Sequence, residues 1–422
     1  MMSHQGYAAP GRARGWLLGL LLTTFAIGTD DFVVAGALPS LSADLDVSLA
    51  AAGQLVTVFS LTYAVSAPVM AVATARLGRR SLVVSGLVAF AIINLLTAAV
   101  SSYAVLLVLR MLAALVASAL SPAAFAAASA LAAPHRVGRA IGTVAAGLTV
   151  SLVMGVPIGS RLSEVLDWRA TFVAVALFTC VAVAVTALTL PKHLRTTVVG
   201  VRRRLVLLRR PAVVSCVTGT VIGACGGLMT YTYVAPITGG LTGAGDRYLV
   251  PFIVVIGVAG AVGTVVGGRL TDRWGADRTV VVTLATLVAD TAALAAIGHL
   301  RSGAPAWLIG VLLAVWGLAA WGHNPPMNAR VLRIAAEAGT EAVALNTSGL
   351  YLGVALAGAV GGVALSRHGT SAVLGTAAAV GLLAILNAAV AVRRWPTLSG
   401  RVQASGPVPG RRPDARPDRS AR

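Results

Sequence analysis

The sequence predicts an all-α membrane protein of twelve transmembrane helices arranged as two six-helix bundles. Three observations lead there. First, 57% of the 422 residues are hydrophobic and only 11% are charged, with a mean hydropathy of +0.86. Soluble domains carry about 25% charged residues, and a soluble core could not hide this much apolar surface. Second, twelve apolar stretches reach the roughly 20 residues that a helix needs to cross a bilayer. They run over about 16–38, 51–74, 81–100, 104–130, 140–160, 169–190, 212–238, 248–268, 279–298, 306–327, 342–365 and 371–392. Third, the basic residues sort by side. With the N-terminus in the cytoplasm, 27 of the 33 Lys and Arg fall in inner segments, 5 in outer loops, and Arg110 alone inside a span. This is the positive-inside pattern. It predicts a multi-pass protein of the cytoplasmic membrane with both termini inside.

The charge distribution also disposes of a rival reading. A net charge of +19 resembles that of a nucleic-acid binder. Here the charge sits in the inner loops and tails, where it can meet anionic lipid headgroups. No basic and aromatic residues interleave as base-stacking platforms do, so no nucleic-acid partner is expected.

Taken in order, the elements divide as follows. Residues 1–15 form a cytoplasmic N-terminus. Arg12 and Arg14 precede an apolar run from Trp16 to about Pro39. That run is too long for a signal-peptide core and has no small-residue cleavage site after it, so it reads as the first helix. Residues 16–190 form the N-terminal bundle and 191–211 a basic cytoplasmic linker. Residues 212–395 form the C-terminal bundle. The tail, 396–422, is rich in Pro, Gly, Ser and Arg and is expected to be disordered. Trp16, Trp168, Trp307 and Trp395 stand at span ends, as interfacial anchors do. The turns ARLGRR (75–80) and TDRWGADR (271–278) follow the second span of each half, as in a transporter built from parallel repeats. Cys180, Cys216 and Cys225 all lie in apolar stretches, against a disulfide framework or a metal site. No GxxxxGK[ST], HExxH or CxxC motif occurs. Neither cofactor, metal nor enzymatic activity is expected.

Several local motifs, in order, carry a family resemblance. They are GTDDFVVAGALPSLSADL (28–45), RLGRR (76–80), Arg110 in VLRMLAALVAS, GRAIG (138–142), GVPIGS (155–160) with DWRATF (167–172), GGRLTDRWG (267–275) and ALNTSGLYLG (344–353). Together they resemble a major facilitator superfamily transporter of the twelve-helix drug:proton antiporter group, in its arabinose-efflux-like and chloramphenicol-efflux-like branch. The resemblance implies alternating access, and a small, largely apolar cargo such as a drug or antibiotic exported in exchange for protons. An alternative is export of a natural metabolite: a sugar, nucleobase or amino-acid derivative. The expected partners are the cargo, protons and the bilayer, with the protein acting as a monomer.

Three acids lie inside spans: Asp30, Asp31 and Asp290. An acid at mid-membrane costs about 2.5–3.5 kcal/mol on insertion scales and is a functional candidate by default. Asp30 and Asp31 point about 100° apart on a helix. The family pattern places its acid before a Phe, which selects Asp31. At 1.5 Å per residue, Asp31 and Arg110 lie at nearly the same depth. The expectation is therefore an Asp31–Arg110 pair that couples to protons, with Asp30 assisting. Asp290, on a span that the family makes peripheral, is expected to be uncharged or locally hydrogen-bonded.

Other candidates follow from type and place. Gln54, Tyr63, Tyr231, Tyr233, Trp316, Trp321, His323 and Asn346 stand on spans that should line the pathway and are candidate cargo contacts. Arg76, Gly78, Arg79, Arg80, Gly268, Asp272 and Arg273 form the candidate gating loops. In the first of these, the family's Gly and Asp positions are Ala71 and Ala75, so any latch is expected in the second half, at Asp272. Gly155 and Gly159, four apart, share a face for close helix packing. Pro157 should bend span five, and Pro325 and Pro326 should end or bend span ten.

Overall fold

The computed structural model describes residues 15–74, 76–133, 136–191, 206–300, 303–335 and 338–397. Residues 1–14, most of the linker and the tail from 398 onward lie outside the described residues, as does Ala75. No strand occurs among the described residues. Among the described residues, eleven helical stretches are long and apolar enough to cross a membrane. The last, Gly339–Arg394, is interrupted at Gly369, whose φ of 77° and ψ of −169° leave the helical region. A positive φ costs a glycine little, so the chain turns there and crosses twice. The total is twelve crossings.

In the first bundle, spans one to four are single helices: Gly15–Asp44, Leu49–Ala73, Arg79–Ala99 and Tyr103–Leu131. Span five is composite. Val137–Val150 passes through a π turn, Ser151–Gly155, into Val156–Val165. The extra residue of a π turn bends a helix, and Pro157, next to it, starts the second piece without needing an N–H partner. Span six, Trp168–Thr189, starts on Asp167, whose carboxylate accepts the Ala170 N–H at 3.0 Å. That is a standard N-cap.

The second bundle breaks its spans more often. Span seven is Pro211–Thr232 followed by Val234–Thr242, with Tyr233 at the joint. Span eight is Leu249–Trp274 and span nine is Ala276–Leu300, hinged on Gly275 at φ 85°. Span ten is Ala306–Gly322 and Asn324–Ala335, broken at His323 just before Pro325 and Pro326. Neither proline has an N–H to donate to the preceding turn, which is why the break falls there.

The bundles meet along span two against span eleven and span five against span eight, with span one reaching spans seven and eight. Glycine makes these approaches possible. A side chain at Gly257 would strike the carbonyl of Leu152, and one at Gly358 would strike Thr57. Packing of this kind, rather than water exclusion, holds helices together in lipid. Far from the termini, DWRATF ties three helix ends. Trp168 Nε1 and Arg169 Nη1 donate to Asp44 at 3.1 and 2.7 Å, and Arg169 Nη2 donates to the Val100 carbonyl at 3.2 Å.

Candidate functional site

Asp30 and Asp31 stand mid-way along span one, both buried. Being adjacent on a helix they face different ways, and the structure gives each a different partner. Arg110 Nη1 donates to Asp30 Oδ2 at 2.9 Å, and its Nη2 donates to the Asp30 carbonyl at 3.3 Å. Both side chains are 1% exposed. The guanidinium also lies over the Phe59 ring, 4.4 Å from its centroid. The expected Asp31–Arg110 pair is thus replaced by Asp30–Arg110. Depth alone could not separate two neighbours on one helix, and it is Asp30 that faces span four.

Asp31 faces the second bundle instead. The Tyr351 hydroxyl, on span eleven, donates to Asp31 Oδ2 at 3.1 Å. The Tyr351 ring stacks on Tyr63 of span two, with centroids 3.7 Å apart. Asp31 also borders a small pocket with Phe32, Val56, Leu228, Tyr231 and Val354. Span one thus offers one carboxylate to a fixed cation and the other to the space between the bundles.

Beside that pocket four aromatic rings gather from both bundles. Phe32 meets Tyr231 edge-on at 5.7 Å and Trp321 at 6.1 Å. Trp321 sits 5.7 Å from both Tyr231 and Trp316. Each such pair contributes about 0.5–1.5 kcal/mol beyond its buried area. Tyr231, Trp316 and Trp321, expected as cargo candidates, come together here. The Nε1 of Trp316 is buried with no hydrogen-bond partner.

The remaining candidates are dispersed. Tyr233 donates to the Gly358 carbonyl at 2.6 Å and lies against Gly53 across the bundle boundary. Gln54 Nε2 reaches the same Gly358 carbonyl at 3.3 Å. These two tie span two to spans seven and eleven across the bundle boundary. Asn346 accepts from Thr220 at 2.7 Å and lies 3.5 Å from Asn328, within the second bundle. His323 Nδ1 shares a 3.0 Å hydrogen bond with Thr283 at the break in span ten. Asp290 is 5% exposed, and its Oδ2 has no hydrogen-bond partner. Gly155 and Gly159 both face span one, where added side chains would strike Thr29 and Val33.

In the first of the candidate gating loops, Arg80 Nη2 donates to the Ala187 carbonyl at 2.5 Å, while Arg76 and Gly78 are exposed beside Arg79. In the second, Asp272 and Arg273 are exposed next to Gly268. The acid engaged in this loop is Asp277, five residues on. It bridges to Arg330, which is 2% exposed. Arg330 Nη2 also donates to the carbonyls of Ala391 and Trp395 at 2.8 and 2.9 Å. Asp277 Oδ2 accepts the Thr397 N–H at 2.7 Å. Spans nine, ten and twelve are thereby clamped together. Sequence reasoning missed Asp277, Arg330 and Tyr351. The first two passed as inner-loop charges. The available signal for Arg330 was its place between Met327, Val331 and Ile334 on an apolar face.

Among the described residues, no group of three or more His, Cys, Asp or Glu could hold a metal ion.

Comparison with known proteins agrees with this architecture. Residues 20–341 match the Major Facilitator Superfamily. The inner membrane transport protein YdhP of Escherichia coli (strain K12) is 31% identical over 381 residues, covering 90% of this chain and 96% of that protein. A chloramphenicol resistance protein of Streptomyces lividans is 32% identical, covering 86% of this chain and 92% of that one. Among solved structures, a D-xylose–proton symporter superposes with a TM-score of 0.74 at 16% identity, covering 89% of this chain and 97% of the other. Its likeness is one of fold. Sequence and fold together place this chain in the Major Facilitator Superfamily, as a multi-pass, secondary-active membrane transporter.

Proposed function

We propose that the protein exports a small, largely apolar compound in exchange for protons, with Asp31 as the proton site. One observation carries this reading: the two adjacent aspartates divide their work. Asp30 is held by Arg110 and is a fixed ion pair. Asp31 has a tyrosine hydroxyl for its hydrogen bond and stands at the wall of an aromatic-sided pocket. A buried acid pair with one committed member leaves the other free to change charge. Cargo entering between Phe32, Tyr231 and Trp321 would meet Asp31 directly, so cargo and proton would compete for one state of the carrier. Arg110 stays within reach as a fixed positive charge that keeps the site habitable for a carboxylate. The mostly apolar lining favours an apolar or weakly charged cargo, and the similarity to a chloramphenicol resistance protein supports it.

A second reading is export of a natural metabolite, such as a sugar, nucleobase or amino-acid derivative. The weight of the comparisons falls on this side: YdhP is named for no drug, and the D-xylose–proton symporter carries a sugar on the same fold. The polar group of Thr220, Asn328 and Asn346 offers hydrogen bonds that such a cargo would use.

The test is accumulation of ethidium and chloramphenicol in efflux-deficient cells, with and without a protonophore. Cells with the wild-type protein should accumulate less, and the difference should vanish on uncoupling or with Asp31→Asn. Protonophore-sensitive export that survives Asp31→Asn unchanged would remove Asp31 from the mechanism. No effect on either compound, with export of labelled cell metabolites instead, would select the second reading.

A further inference from the structure

The Tyr351–Asp31 hydrogen bond is unusual in its position. It joins the proposed proton site on the first bundle to a helix of the second, and it does so mid-way along both spans. Around it, span eleven lies close against span two from Tyr351 to Gly362. Tyr351 stacks on Tyr63, Gly358 meets Thr57, and Gly362 approaches Gln54. This is the seam that closes the molecule on the side away from the termini. Any rearrangement that opens that side must separate Tyr351 from Asp31.

The strength of this contact depends on charge. A hydroxyl donating to a carboxylate makes a bond roughly twice as strong as one between neutral groups. The charged and titratable groups facing Asp31 are Asp30 on its own helix, Arg110 of span four, Tyr63 of span two, Tyr231 of span seven and Tyr351 itself. Spans five, six and eight, also packed near span one, bring no carboxylate, histidine, Lys or Arg between residues 140 and 160, 170 and 190, or 249 and 268. Among the described residues packed against this part of span one, Arg110 is the cation that faces Asp31, and it is already engaged by Asp30.

We infer that Tyr351 is the positioning residue of the coupling mechanism: its hydrogen bond to ionised Asp31 holds the empty, deprotonated carrier closed on the side away from the termini. This rests on the reading of Asp31 as the proton site. The consequence is tight coupling. An empty carrier that has released its proton waits in this state. Cargo arriving beside Tyr231 competes with the tyrosine for Asp31, and the seam parts with cargo aboard. Protonation of Asp31 from the far side cancels the charge, and the protonated carrier crosses back and releases its proton. Without the latch, the empty deprotonated carrier crosses unladen, and each such cycle lets one proton through for nothing exported.

The experiment uses the full chain in proteoliposomes with pyranine inside and an imposed pH gradient, with protons as the only permeant. Tyr351→Phe keeps the ring on Tyr63 and removes the hydroxyl. It should raise the cargo-free proton leak about tenfold over wild type. Tyr351→Phe combined with Asp31→Asn should abolish that leak. In parallel, Thr57→Cys in a background without Cys180, Cys216 and Cys225 reports opening of the seam through an impermeant maleimide. Labelling should rise from pH 9 to pH 5 in the otherwise wild-type protein and stay high at both with Tyr351→Phe. A wild-type leak together with a wild-type labelling response in Tyr351→Phe overturns the latch. If Asp31→Asn exports normally, the proton reading itself fails. If Asp31→Asn is inactive and Tyr351→Phe neither leaks nor opens, the latch alone fails.

Discussion

Asp30→Asn should damage the protein's stability far more than Asp31→Asn. The substitution keeps size and shape and removes one charge. Asp30 and Arg110 are both 1% exposed and 2.9 Å apart. At an effective dielectric near 20, Coulomb's law gives their attraction as roughly 6 kcal/mol. The bond from Nη2 to the Asp30 carbonyl and the Phe59 ring over the guanidinium are the same in Asp30→Asn, so they cancel from the difference. The Asn oxygen still accepts from Nη1 as a neutral group, which recovers part of the attraction. The expected cost is therefore about 3–5 kcal/mol, the range found when one partner of a buried pair is removed. Asp31→Asn loses one hydrogen bond from Tyr351, about 1.5–3 kcal/mol at most. The assay is thermal unfolding in detergent, read by a thiol-reactive dye at the buried Cys216 and Cys225, with the exposed Cys180 replaced by Ser. Asp30→Asn should melt well below Asp31→Asn, and Asp30→Asn with Arg110→Gln should recover most of the loss. An Asp30→Asn protein that melts with wild type, beside an Asp31→Asn protein that collapses, would refute the assignment of the ion pair.

Two further outcomes are expected. Arg330→Ala leaves Asp277 without its cation and frees the end of span twelve, so it should cost about 3 kcal/mol, the low end for a buried pair because the Asp277 side chain is 16% exposed; the same dye assay measures it, and cleavage by trypsin after Arg393 or Arg394 should quicken. Trp321→Ala removes three ring contacts beside the pocket, so the KM for whichever compound is exported should rise about tenfold, whereas Trp307→Ala, 71% exposed at a span end, should leave it unchanged.

The large features were legible in the sequence because the bilayer imposes them. Span length and the placement of Arg gave twelve crossings, and the gap left between 365 and 371 contains Gly369, where the long last helix turns. Smaller features were hidden for definite reasons. The π turn at Ser151–Gly155 has no compositional mark beyond the proline that follows it. The break at Tyr233 has only Pro236, three residues on, as its mark, whereas Pro325 and Pro326 warned of the one at His323. At the site, Asp30 and Asp31 have the same chemistry and nearly the same depth. Only the direction of each side chain, set by how span one is rotated in its bundle, decides which one meets Arg110. Tyr351 lay within the ALNTSGLYLG motif yet carried no sign of its partner 320 residues away. Contacts between bundles depend on how the two bundles pack against each other, which no local pattern records.

The clamp at Arg330 has a practical consequence for anyone preparing this protein. In it Arg330 donates to the Trp395 carbonyl and Asp277 accepts the Thr397 N–H, both groups lying beyond the last helical residue, Arg394. A chain trimmed to the end of the helix would lose both groups and leave a buried guanidinium and a carboxylate short of partners. Affinity tags and fluorescent fusions belong after residue 397, where the same extension hangs from an intact knot.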